Sequence, residues 1–193
     1  MVGKAPGLAR RVTDTFAGFE VERAKGINVF TGERITSASA RHILGEETCR
    51  VLRLLEPRDA NTKAALERAS SGLLGRLQQA AQDPRNTNPG RYCCGKCTVG
   101  LWRNLVVGGL DRQAERLQKG VKYLRSMRDG AGKWRVFPFW YTVLALSEID
   151  LSEAIKELAY AAPILEHAAS RPRVSTDYAR RRQAVARRAL TRI

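Results

Sequence analysis

Apolar positions recur along this chain at steps of three and four, the mark of amphipathic helices, and nowhere at the step of two that a half-buried strand would show. Leu8, Val12, Phe16 and Phe19 open the series. Lys25 to Gly32 interrupts it as a loop or short extended piece. A second helix carries Ile43, Leu44, Val51, Leu52 and Leu55, with Ser37 or Ser39 as its cap and its end before Pro57. A third spans Asp59 to Gln82 on Leu66, Leu73, Leu74 and Leu77, with Gly72 and Gly75 as weak points in its continuity.

Asp83 to Gly90, dense in Pro, Asn and Gly, reads as a linker. It divides the chain into an N-terminal helical half at 1–83, a linker at 84–91, a second helical half at 92–170 and an Arg-rich helix or tail at 171–193, all within one domain. The second half predicts a helix over Thr98 to Val107, a turn at Gly108-Gly109, and a helix on Leu110, Ala114, Leu117, Val121 and Leu124. That helix stops at Asp129-Gly130-Ala131-Gly132, where glycine tolerates a positive φ. Phe139 to Ile149 follows, then a stripe of Leu151, Ala154, Ile155, Leu158, Ala162 and Leu165 that kinks or ends near Pro163. Thr176 to Arg192 has a weak apolar face at Tyr178, Val185 and Leu190. The expected fold class is all-α, built of antiparallel helical hairpins.

Within this pattern Lys119, Gly120, Tyr123, Leu124, Gly132 and Trp134 fall at a spacing that composition does not account for. The segment resembles the QW repeat of squalene and oxidosqualene cyclases, with Arg128 where the repeat has Gln. The resemblance strictly covers the sixteen residues from Lys119 to Trp134, and by helix pattern Thr98 to Leu165. It implies a ring of paired helices, the α/α toroid shared with protein prenyltransferases, here as an open partial ring, a solenoid-like array or a ring completed by a second copy of the chain. It also implies that Trp134 folds back on the helix end, with Arg128 stacking on Trp134 and donating to helix-terminal carbonyls.

Charge adds a second theme. The chain carries 34 Lys and Arg against 19 Asp and Glu, net +15, and the last 23 residues hold eight Arg and one Asp, hence seven of those fifteen charges. Such concentration is expected of an anionic-surface contact, with Arg180, Arg181, Arg182, Arg187 and Arg188 as the nucleic-acid-binding candidates. The alternative is a basic helix docked on an acidic protein surface. No apolar stretch reaches the length of a membrane span, and Met1 to Arg11 has no secretory core segment, so the expectation is a cytoplasmic protein with reduced cysteines.

Tyr92-Cys93-Cys94-Gly95-Lys96-Cys97 places three of the four cysteines in five positions at the mouth of a helix, where the helix N-terminus and Lys96 favour thiolates. Zinc takes four such ligands, and Cys49, His42 or His167 is available as the fourth beside Cys93, Cys94 and Cys97. His42 and Cys49, seven apart, share a helix face. Buried free thiols are the alternative. Gly90, Gly95 and Lys96 nearly spell a phosphate loop, but Cys97 stands where Ser or Thr is required and no strand precedes it. A thioredoxin-like role for Cys94 and Cys97 lacks its βαβ frame.

Trp134, Phe137, Phe139, Trp140 and Tyr141 are five of thirteen aromatics within eight positions, too many for one helix face. Such a cluster either packs a helix junction or walls a site for an apolar ligand, isoprenoid-like by the cyclase resemblance, or for a partner helix. The aspartate-rich motifs that cyclases need are absent, so the resemblance implies an accessory, non-catalytic member. Glu46-Glu47, the only adjacent acidic pair, reads as a solvated helix face. Three functional readings follow: an apolar-ligand or helix binder, a nucleic-acid-associated protein, and a metal- or thiol-dependent protein.

Overall fold

The computed structural model describes residues 11–14, 16–83, 90–172 and 175–193. Leu8 of the first apolar stripe and positions 84–89 of the linker lie outside them. Helices α1 (Glu20–Lys25), α2 (Ala38–Leu55), α3 (Ala60–Gln82), α4 (Gly95–Val106), α5 (Gln113–Ser126), α6 (Phe139–Leu146), α7 (Ser152–Tyr160), α8 (Ala162–Ala169) and α9 (Asp177–Leu190) dominate the fold. The expected extended piece is a two-residue hairpin, β1 (Ile27–Asn28) against β2 (Arg34–Ile35), with Ile27 opposite the buried Ile35. The fold is all-α.

Two points that the periodicity left open are settled by packing. Helix α3 is continuous through Gly72 and Gly75, capped by Asp59, whose carboxylate accepts the Thr62 N–H at 2.8 Å. Gly72 is a point of close approach, since a Cβ there would lie 2.6 Å from the Asp14 carbonyl oxygen. The stripe from Leu151 to Leu165 is two helices, broken at Ala161 with Pro163 in the first turn of α8, where its missing N–H costs nothing.

Sequence neighbours form the expected antiparallel hairpins: Leu52 of α2 clusters with Ala65 of α3, and Cys49 with Ala69 further along. The most extensive interface, between α2 and α4, runs the other way. His42 meets Cys97, Ile43 lies against Gly100, and Glu47 bonds Arg103, an ascending register that makes these helices parallel. Helix α6 continues the row beside α4, Gly95 facing Phe137 and Gly100 facing Tyr141. Two reversals, through α3 and then α5, bring the chain back in its original direction each time.

An ionic network ties the row together. Arg103 of α4, 8% exposed, donates to Glu148 at 2.8 and 3.0 Å and to Glu47 of α2, while the Tyr141 hydroxyl donates to Glu47 at 2.8 Å. The Glu46-Glu47 pair is therefore no solvated face. Glu46 is fully buried, accepting from Asn104 Nδ2 at 2.5 Å, and Glu47 belongs to the network, because α4 covers the side of α2 that carries both.

The QW-like segment closes a second junction. Arg128 and Trp134 pair through their backbones across the Asp129–Lys133 turn, in which Gly130 and Gly132 take positive φ. The indole, 4% exposed, donates Nε1–H to Glu157 of α7 at 2.9 Å. Arg128 donates to the same carboxylate at 3.0 and 2.8 Å. Its guanidinium lies over the Tyr160 ring at 4.2 Å, not over Trp134 as the resemblance implied, because the backbone pairing holds the two side chains for a shared acceptor instead. A donation to the Lys156 carbonyl at 3.3 Å completes its contacts.

Candidate metal centre

Helix α4 starts at the cysteines. Cys94 is its N-cap residue, extended at φ −146° and ψ 175°, and its carbonyl accepts the Thr98 N–H at 2.9 Å. The Thr98 hydroxyl donates to the same carbonyl at 2.7 Å and accepts the Tyr92 N–H at 3.1 Å, which folds Tyr92 to Cys94 over the helix mouth. Arg91 Nε donates to the Cys93 carbonyl at 3.1 Å. The parallel register then sets this mouth against the first turns of α2.

Cys97, fully buried, is the hinge of the cluster: its Sγ lies 3.5 Å from Cys94 Sγ and 3.5 Å from His42 Nδ1. The ligand atoms of His42, Cys93 and Cys97 all lie within 4.8 Å of one another. Ser39 Oγ sits 3.4 Å from Cys94 Sγ. Cys93 is exposed, so the cluster reaches solvent on one side and the core on the other.

Hydrogen bonds from Cys93 and Cys97, with others from Ser39 and the Cys97 N–H, hold the Cys94 thiol well below its ordinary range. Hydrogen bonds with Cys93 and Cys94, together with burial, push Cys97 up. The group thus concentrates a first negative charge at the helix N-terminus. Burial lowers His42, assisted by Arg76 and Arg41, so its imidazole is neutral, the form that ligates metals.

Three sulfurs and one imidazole nitrogen are a zinc donor set. Zn–S bonds of about 2.3 Å and Zn–N bonds of about 2.0–2.1 Å in a tetrahedron put ligand atoms roughly 3.5–3.8 Å apart. The two 3.5 Å separations at Cys97 match that edge length. Outside the donors, His42 Nε2 and Glu46 Oε1, one helical turn apart on α2, are buried polar atoms without hydrogen-bond partners among the described residues. Tyr92 lies against the His42 ring, centroids 5.8 Å apart.

Of the three residues available as fourth ligand, His42 alone among the described residues groups with Cys93 and Cys97, and Cys94 Sγ adjoins that group through Cys97 at 3.5 Å. Cys49 packs with Val12, Phe16, Phe19 and Ala69, where burial pushes its thiol up to about 12. His167 sits on α8 with Nε2 3.3 Å from an Arg171 nitrogen.

The aromatic run divides. Trp134, Phe137 and Tyr141 are core residues, Phe137 stacked on Trp102 at 5.9 Å and tilted against Tyr123 at the same distance. Phe139 and Trp140 are half-buried, edge to face at 5.0 Å, with Phe139 stacked on Trp134 at 5.9 Å.

The tail is a docked helix. Thr176 caps α9 by accepting the Ala179 N–H at 3.1 Å, and Val185, Ala186 and Ala189 are buried. Arg182 donates to the Thr31 carbonyl at 2.7 Å and Arg181 to the Phe30 carbonyl at 3.2 Å. Arg187 reaches the Ala169 carbonyl and Arg188 the Ser147 carbonyl, at the C-terminal ends of α8 and α6, where cations meet the negative pole of a helix. Arg180 pairs with Asp177.

Comparison with family models, curated proteins and solved structures finds no match for this chain. No helix among the described residues is long and apolar enough to cross a membrane.

Proposed function

We propose that this chain is a metal-dependent helical protein in which Cys93, Cys94, Cys97 and His42 hold one zinc ion. The observation that carries the reading is the position of Cys97 Sγ at 3.5 Å from both Cys94 Sγ and His42 Nδ1, across a gap of fifty-five residues to the histidine. Four protein donors leave no open position for a water or substrate, so the ion's role is to clamp the start of α4 onto α2. The parallel row of α2, α4 and α6, with α3 and α5 returning the chain between them, supports a partial toroid-like array as the frame around the centre.

Cobalt(II) titration of the reduced, folded protein tests this. One equivalent should give thiolate-to-metal charge-transfer absorbance with tetrahedral visible bands, and Cys97→Ser should weaken both. Wild-type protein that keeps its helical circular dichroism and shows no charge-transfer band sinks the reading.

A further inference from the structure

A cavity of about 230 Å³ opens on the far side of Tyr92, between the end of α3, the middle of α4 and the first half of α5. Its apolar wall is the end of α3, Leu77, Ala80 and Ala81, together with the half-buried Tyr92, and Trp102, 1% exposed, closes the bottom. Its rim is cationic, with Arg91, Arg112, Arg116 and Lys119 against one lining carboxylate, Glu115.

The rim charges are only partly neutralised. Glu115 is shared by Arg112 at 2.7 Å and Lys119 at 2.6 Å, and Arg116 pairs with Asp111 at 2.9 Å. Arg91 donates to a neutral carbonyl, which cancels no charge. Among the described residues four cations thus face two carboxylates. An excess of positive charge at the lip of an apolar slot selects for negative charge on one end of a flat hydrophobic body.

We infer that this cavity binds a small anionic ligand with a planar apolar body, its ring against Tyr92 and the apolar end of α3 and its acid group among Arg91, Arg112 and Lys119. The site needs neither the cysteines nor a metal, so it stands or falls apart from the zinc reading.

The probe is 8-anilinonaphthalene-1-sulfonate, titrated by fluorescence into the full chain, with the uncharged N-phenyl-1-naphthylamine as its partner. The expected result is saturable one-to-one binding of the sulfonate with unchanged near-ultraviolet circular dichroism. The neutral probe should bind about tenfold more weakly, and Arg112→Gln/Lys119→Gln, which alters only exposed rim side chains, should weaken the sulfonate by about tenfold. Equal affinity for the two probes, an unchanged affinity in the double variant, non-saturable binding, or loss of the near-ultraviolet signal on binding overturns the inference.

Discussion

Trp134 donates its indole N–H to Glu157 at 2.9 Å, and that one contact joins the end of the motif to the next helix pair. Glu157, 1% exposed, takes its remaining bonds from Arg128. A buried carboxylate stripped of one of its three donors keeps the full cost of its burial with less to offset it. Trp134→Phe keeps the ring and removes the donor, and should lower unfolding free energy by about 1–3 kcal/mol in urea titration. Arg128→Gln introduces the residue that the QW repeat has at this place yet should also destabilise by about 1–3 kcal/mol, less than breaking a fully buried pair costs because Arg128 is partly exposed. A neutral or stabilising Arg128→Gln contradicts the account.

Gly120, a fixed position of the motif, owes its identity to packing. A Cβ there would lie 2.2 Å from Trp102 Nε1, so Gly120→Ala forces the indole or α5 to move. Despite alanine's better helix propensity, thermal unfolding should show a loss of about 1–3 kcal/mol.

Glu46 gives the protein a pH signature. Burial pushes its carboxyl up to about 8 in the folded state, against 4.5 for the ordinary group. Between those values the folded chain holds a proton that the unfolded chain has released, so stability falls as pH rises through the window, by at most about 1.4 kcal/mol per unit. Urea midpoints measured from pH 5 to 8 should show a fall in wild type that is reduced in Glu46→Gln. Equal slopes in the two proteins refute the assignment.

Arg103 holds two carboxylates of the α2–α4–α6 row. Among the described residues Arg103→Met leaves Glu47 and Glu148 to the cation of Arg50 alone, at 3.9 and 3.4 Å, and should cost about 3 kcal/mol. Adding Glu148→Gln should recover part of that loss, which a double-mutant cycle reads as coupling.

The helices were legible because burial has the helical period: Leu117, Val121 and Leu124 lie inside α5, as their spacing requires. The cysteine trio was legible as local chemistry. Its partner was not, since His42 and Cys49 share a face of α2 and only the place where α4 starts decides between them; it starts beside the first turns of α2. The same register hid the burial of Glu46 and the ion pairing of Glu47, for a helix face that reads as solvated gives no sign of the neighbour that covers it. The arginines of α9 announced charge, but their carbonyl partners at the ends of α6 and α8 come from tertiary placement. Trp134 was the reverse case: turn glycines on either side of Ala131 and an aromatic beyond them specify a fold-back that the structure contains.

Native mass spectrometry of protein produced in zinc-supplemented medium tests the central claim most directly. The account predicts one zinc per chain, retained on buffer exchange and lost from Cys97→Ser, with a melting temperature that drops when a chelator strips the wild-type ion. A metal-free chain of unchanged melting temperature, with or without chelator, contradicts it.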